Sequence, residues 1–230
     1  MKSGKKLFGA RALLACALMA IGAASACNAK GTPEQIAKRT NSLIIAIRDN
    51  DMEQAKLCIK EGVNINENYR DEGTPLIYAL EKERIELAKI IIKSKPDLSI
   101  IGSRKRWTAL TLALYYEYFD IVELLLKSGA DANKMDGESR CPIILAVVAG
   151  RKDIVEMLIK AKADVNIRDD NNDTAIIYAA GWQREDIAEL LIRSGADVNA
   201  MNNDGETALK LAKSNGNQKI ITLLKAAGAR

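Results

Sequence analysis

Residues 194–209 read SGADVNAMNNDGETAL, and most of that phrase occurs earlier in the chain, as SGADAN at 128–133 and ADVN at 163–166. Aligning on the Thr-x-Leu that ends the stretch extends the match. NSLIIAI begins at 41, TPLIYAL at 74, TALTLAL at 108, CPIILAV at 141, TAIIYAA at 174 and TALKLAK at 207, at spacings of 33, 34, 33, 33 and 33. A second phrase follows each at a fixed offset: QAKLCI, LAKIII, IVELLL, IVEMLI, IAELLI and IITLLK. So regular a period marks stacked supersecondary units, none able to bury its apolar face alone.

Each unit predicts two short helices. Thr108 can cap the first, with apolar residues through Leu114. Ile121, Val122, Leu124 and Leu125 recur at helical spacing in the second, and Gly129 supplies a left-handed ending. Gly62, Gly195 and Gly228 share that repeat position, whereas Lys95 and Lys162 replace it in two units. Asn/Asp/Gly-rich stretches such as NAMNNDGE (199–206) predict projecting turns between units.

Phrase and period together resemble the ankyrin repeat, over residues 41–230 and six units: 41–73, 74–107, 108–140, 141–173, 174–206 and 207–230. The resemblance implies an all-α solenoid of about six helix-turn-helix units with projecting turns, whose usual role is to bind other proteins on its concave side. The chain has no histidine, so the imidazole of the family's TPLH phrase, which bonds between neighbouring loops, is replaced by Ile44, Ile77, Thr111, Ile144, Ile177 and Lys210. Looser turns and added apolar packing are expected in its place. At the ends, Thr32 and Pro33 predict the start of a capping helix within a 27–40 tether, and Lys210 and Lys213 give the last unit a wetted outer face.

Residues 1–26 differ in kind. A basic start (MKSGKK), the uncharged apolar run ALLACALMAIGAA (12–24) and the small residues before Cys27 have the layout of a secretory signal. The run is shorter than the roughly 20 residues of a spanning helix. ASAC resembles a bacterial lipobox, which would make Cys27 the lipid-bearing first residue, although Ala24 stands where Leu is usual. Plain cleavage and an uncleaved anchor are the other readings. The expected location is therefore exported and lipid-anchored, facing periplasm or cell surface, with a soluble periplasmic or secreted form as the alternative.

Removing Lys2, Lys5, Lys6 and Arg11 of the signal from the 34 basic residues leaves 30 against 30 acidic. A neutral mature chain argues against a nucleic-acid partner. Without histidine the commonest acid–base group is missing, and no nucleophile motif or phosphate loop is present, so no enzyme is expected and no cofactor. RDDNNDT (168–174) alternates Asp169, Asn171 and Asp173, but Thr174 and Ala180 stand where a calcium loop needs Gly and Glu. It is read as a turn, and no metal site is expected. Cys58 and Cys141 occupy core-type positions three units apart, about 25–30 Å at helix-packing distances, so they are read as buried and unbridged. Tyr78 and Tyr178 are read as buried spacers.

A repeated frame frees its other positions for recognition. Of nine aromatics after residue 26, five lie in a turn before Thr-x-Leu or at the end of a first helix: Trp107, Tyr115, Tyr116, Tyr118 and Trp182. Arg104, Arg106, Arg140, Arg151 and Arg184 accompany them. Tyr, Trp and Arg dominate binding hot spots, so these ten residues form the candidate site for an unidentified protein partner of a monomeric chain. A self-assembling scaffold and a glycan- or anion-binding module are the alternatives.

Overall fold

The computed structural model describes residues 42–69, 72–102 and 104–230, and the expectations for the signal, Cys27, Thr32 and Pro33 lie outside them. Among the described residues there are twelve α-helices and no strand. The chain divides into two compact units, Met1–Ile65 and Asn66–Arg230.

In the first unit, α1 (42–49) and α2 (Met52–Lys60) are joined by a turn at Asn50. Asp51 caps α2 by accepting the Gln54 N–H at 2.9 Å. Leu43, Ile44, Ala46, Ile47, Ala55 and Cys58 are buried.

The second unit holds five helix pairs: α3 (Pro75–Glu81) with α4 (Ile85–Lys93), α5 (Ala109–Tyr115) with α6 (Phe119–Lys127), α7 (Pro142–Val148) with α8 (Lys152–Lys160), α9 (Ala175–Gly181) with α10 (Glu185–Arg193), and α11 (Ala208–Ser214) with α12 (Gln218–Ala226). The first helices pack in one layer, α3 on α5, α5 on α7, α7 on α9 and α9 on α11; the second helices form another in the same order. Each first helix is short because a left-handed residue stops it two positions past its end: Glu83, Glu117, Gly150, Gln183 and Gly216 have φ of 56–70° or values within that span. Thr74, Thr108 and Thr207 cap their helices with the side chain. Thr174 does not, and its buried hydroxyl has no partner.

The lost histidine is replaced by burial. Ile77, Ile144 and Ile177 are in the core, and Thr111 closes a reciprocal capping box with Thr108. Lys210 at the same position in the last unit is exposed, as is Lys213. Lys95 (φ 56°) and Lys162 (φ 66°) adopt the left-handed ending that Gly129 and Gly195 adopt elsewhere.

The repeated Asn explains why the phrase recurs. Asn133 Oδ1 accepts the Asp164 N–H at 2.6 Å while its Nδ2 donates to the Lys162 carbonyl at 3.0 Å. Asn166 makes the same pair with Asp197 and Gly195, and Asn199 with Arg230 and Gly228. Asn66 accepts from Asp97 in the same way. Each amide thus satisfies backbone groups at the end of the next unit's second helix, which would otherwise lack partners. At the corresponding place in the 74–107 unit stands Ser99, whose hydroxyl turns back to Asp97 at 2.6 Å. Among the described residues that junction has no such rung.

Candidate functional site

Turns between units are built on another periodic residue. Asp136 Oδ1 accepts the N–H groups of Glu138 and Arg140, Asp169 Oδ1 those of Asn171 and Asp173, and Asn202 Oδ1 those of Asp204 and Glu206. RDDNNDT is therefore a hydrogen-bonded Asx turn. The second oxygen of Asp169 accepts the Tyr178 hydroxyl at 2.9 Å. Tyr78 is buried as expected, but Tyr178 is half-buried because its hydroxyl reaches this carboxylate. Burial, then that bond, raise the Tyr178 pKa. Asp173 is also raised, chiefly by burial, against the Asn202 amide that donates to it at 2.8 Å.

The turn at 102–107 differs. Gly102 donates to the Trp107 carbonyl at 2.9 Å in an isolated antiparallel bridge, and Arg106 takes a left-handed φ of 55°. The Trp107 ring points inward and is only 1% exposed. This corrects the expectation that it faces a partner: its indole is the floor on which Arg140 lies. The Arg140 guanidinium sits 3.2 Å from the indole centroid. Its Nε donates to Asp136 at 2.6 Å, Nη1 pairs with Glu138 at 2.8 Å and Nη2 donates to the Lys105 carbonyl at 3.1 Å. Arg140 is likewise not a free contact group, because the buried Asp136 carboxylate holds it. The clamp joins two neighbouring turns at the junction that lacks the Asn rung.

From Trp107 an aromatic row runs outward. The Tyr115 ring lies 4.9 Å from Trp107, Tyr116 5.3 Å from Tyr115 and Tyr118 5.8 Å from Tyr116. Burial, with Glu83 and Tyr116 nearby, raises the Tyr118 pKa. Tyr115 (54%), Tyr116 (38%) and Trp182 (56%) are well exposed. Tyr116 and Trp182 hold the same repeat position two units apart, with half-buried Ala149 between them.

The remaining cations divide. Arg104 and Arg106 are exposed, although the Arg106 side chain folds over Gly137 and its carbonyl accepts that glycine's N–H at 2.8 Å. Arg151 and Arg184 begin α8 and α10 and are half-buried. Arg151 stacks 3.8 Å over Phe119 and bonds Asp153; Arg184 lies against Gly150. The structure thus brings together Trp107, Tyr115, Tyr116, Tyr118 and Arg140, and leaves Tyr115, Tyr116 and Trp182 as the open rings. Asp136 was missed in the sequence, although its 33-residue register with Asp169 and Asn202 was visible.

Cys58 and Cys141 are free and buried. Burial, reinforced by Asp169, Asp136 and Asp170, pushes the Cys141 thiol up to about 12, so it stays protonated and unreactive. Among the described residues no cluster of Cys, Asp and Glu is arranged to hold a metal, and no helix is long and apolar enough to cross a membrane.

A family model of ankyrin repeats in three copies matches residues 43–136, 97–169 and 143–230, and the chain belongs to the ankyrin-repeat family. An ankyrin repeat domain from Acinetobacter baumannii AYE has a TM-score of 0.75 at 25% identity, covering 82% of this chain and 98% of that one. A chain in the structure of a predatory endopeptidase from Bdellovibrio bacteriovorus in complex with an immunity protein has a TM-score of 0.67 at 26% identity, covering 80% and 97%. The transient receptor potential cation channel subfamily A member 1 of Drosophila melanogaster is 32% identical over 106 residues, 44% of this chain. Alpha-latrotoxin-Lg1a of Latrodectus geometricus is 28% identical over 103 residues, also 44%. The chain spans only 9% and 8% of those two proteins. Ankyrin repeats are protein–protein interaction modules.

Proposed function

We propose that this protein is a non-enzymatic binding module that docks a partner protein along the turns and first-helix ends of its 66–230 unit, the side expected to be concave. One observation carries the reading. Among the described residues of that unit, the exposed large apolar side chains are Tyr115, Tyr116, Trp182 and Met201, and three of these four end first helices. Rings held in water by a rigid scaffold lose little entropy on binding and bury much area. The Bdellovibrio bacteriovorus complex, in which a chain of this fold appears beside another protein, supports the same kind of contact. The basic and apolar start of the sequence and Cys27 support export and a lipid anchor at a bacterial envelope. Exposed Lys210 and Lys213 on α11 favour a monomer over end-to-end stacking.

The test places a photocrosslinking amino acid at 116 or 182, and at exposed Lys160 on α8 as control, in cells that export the protein. A discrete adduct from 116 and 182, absent from 160, is expected; equal labelling from all three sites overturns the docking face. Mass spectrometry of the mature N-terminus should find a lipid-modified Cys27, and an unmodified one removes the anchor.

A further inference from the structure

Arg184, two residues after Trp182, carries a charge that the fold leaves open. Its guanidinium lies so close to Gly150 that a Cβ there would meet Cζ at 2.7 Å and Nε at 3.0 Å. Nη2 donates to the Val148 carbonyl at 3.3 Å, while Nε is buried without an acceptor. Among the described residues no carboxylate pairs with it, whereas Arg140, Arg151 and Arg193 each hold at least one.

The preceding unit shows why. Arg151 has the same repeat position, but beneath it stands Glu117 where Arg184 has Gly150. A side chain at 117 leaves no bare backbone to lie on, and Arg151 instead stacks over Phe119 and closes on Asp153. Asp186 is the counterpart of Asp153 and, like it, accepts the N–H of the next residue, but no ion pair forms with Arg184, whose guanidinium lies on the glycine. Glu185 is occupied by Lys219 at 3.1 Å and by the Asn217 amide at 3.2 Å.

The geometry points to a carboxylate as the ligand of Arg184, supplied by an Asp or Glu of a partner protein whose flanking apolar side chains pack on Trp182 and Tyr116. The guanidinium is half-buried, and the Nη end of its planar fork has the geometry that fits a carboxylate. Exposed Asp186 two residues on, with Glu117, Asp120 and Asp153 exposed in the two preceding helix pairs, disfavours a polyanionic surface such as nucleic acid or an acidic bilayer more than a single carboxylate. This assignment rests on the aromatic docking face proposed above and names what that face selects.

The test follows the two indole N–H resonances of the full chain by NMR, assigned with Trp182→Phe, during titration with acetyl-Leu-Glu-Leu-amide or its Gln analogue. The Glu peptide should move the Trp182 signal and bind about fivefold more tightly than the Gln peptide. Arg184→Gln should abolish that preference, and so should Gly150→Ala, which displaces the guanidinium without removing it. The buried Trp107 signal, unmoved throughout, reports that each variant is folded. Equal affinity for both peptides, or a preference that survives Arg184→Gln, overturns the carboxylate assignment; if both still move Trp182, the aromatic face stands. No shift with either peptide also overturns the assignment, and the crosslinking at 116 and 182 then judges the face separately. Phosphatidylglycerol vesicles that perturb Trp182 where phosphatidylcholine vesicles and the Glu peptide do not would replace the protein carboxylate with a lipid headgroup.

Discussion

The Arg140 guanidinium lies 3.2 Å over the centre of the Trp107 indole, and both belong to turns, 33 residues apart, that bracket a single helix pair. Cation–π attraction, the Asp136 carboxylate and the Lys105 carbonyl fix this geometry together. It stands at the junction where Ser99 has displaced the Asn that ties other units.

Trp107→Ala should therefore act on folding. A buried Trp truncated to Ala costs about 3–5 kcal/mol, whereas Tyr116→Ala should leave the unfolding midpoint nearly unchanged. Arg140→Met should also cost about 3 kcal/mol, because it strands buried Asp136 without a counter-charge. Adding Asp136→Asn to Arg140→Met should recover part of that loss. Denaturant unfolding checks all four variants, and a double variant no better than Arg140→Met would show that the carboxylate is not the source.

The missing rung can be restored. Ser99→Asn should add the amide that Asn133, Asn166 and Asn199 supply elsewhere, raising stability by about 1 kcal/mol. Asn166→Ala should lower it by a similar amount, since the Asp197 N–H and Gly195 carbonyl lose their partner. Thermal unfolding distinguishes the two signs.

Two threonines at the same repeat position should respond in opposite ways. Thr108→Val breaks a reciprocal cap in which Thr108 Oγ1 accepts from Thr111 and should cost about 1 kcal/mol. Thr174→Val removes a buried hydroxyl that bonds nothing and should be neutral or stabilising by about 1 kcal/mol.

Asp173 supplies a pH signature. Burial raises its folded pKa above the ordinary 3.8, so the folded state holds this proton more tightly than the unfolded state does. Its contribution is fully favourable below 3.8 and is lost as pH rises through the folded value, leaving a penalty at neutral pH. Asp173→Asn should therefore raise the unfolding midpoint at pH 7, with the advantage over the parent shrinking as pH falls toward 3.8. Calorimetry across that range checks it, and an advantage independent of pH would exclude titration as the cause.

Leu125 is fully buried on α6. Leu125→Ala should cost about 2–5 kcal/mol by opening a cavity, and the loss should spread from its own unit to the neighbours stacked on it. Hydrogen exchange should show α5 to α8 deprotected ahead of α11 and α12.

Most of the frame was readable from the sequence because a 33-residue period repeats the same local physics. A Thr or Pro starts each first helix of the 66–230 unit, apolar residues at helical spacing face inward, and a Gly or a tolerated Lys turns the chain left-handed. Those interactions span a few residues, so local sequence determined helix order, the buried cysteines and the turn nature of RDDNNDT. The tertiary structure decided which polar and aromatic groups remain free. Whether Trp107 faces water depends on Arg140 33 residues away, and Arg140 depends on Asp136. Arg184 stays open because Gly150, 34 residues earlier, gives its guanidinium bare backbone to rest on. Such contacts join corresponding places in successive units, where the exchange of one side chain for another changes a neighbour's exposure without disturbing the repeat that identifies the fold.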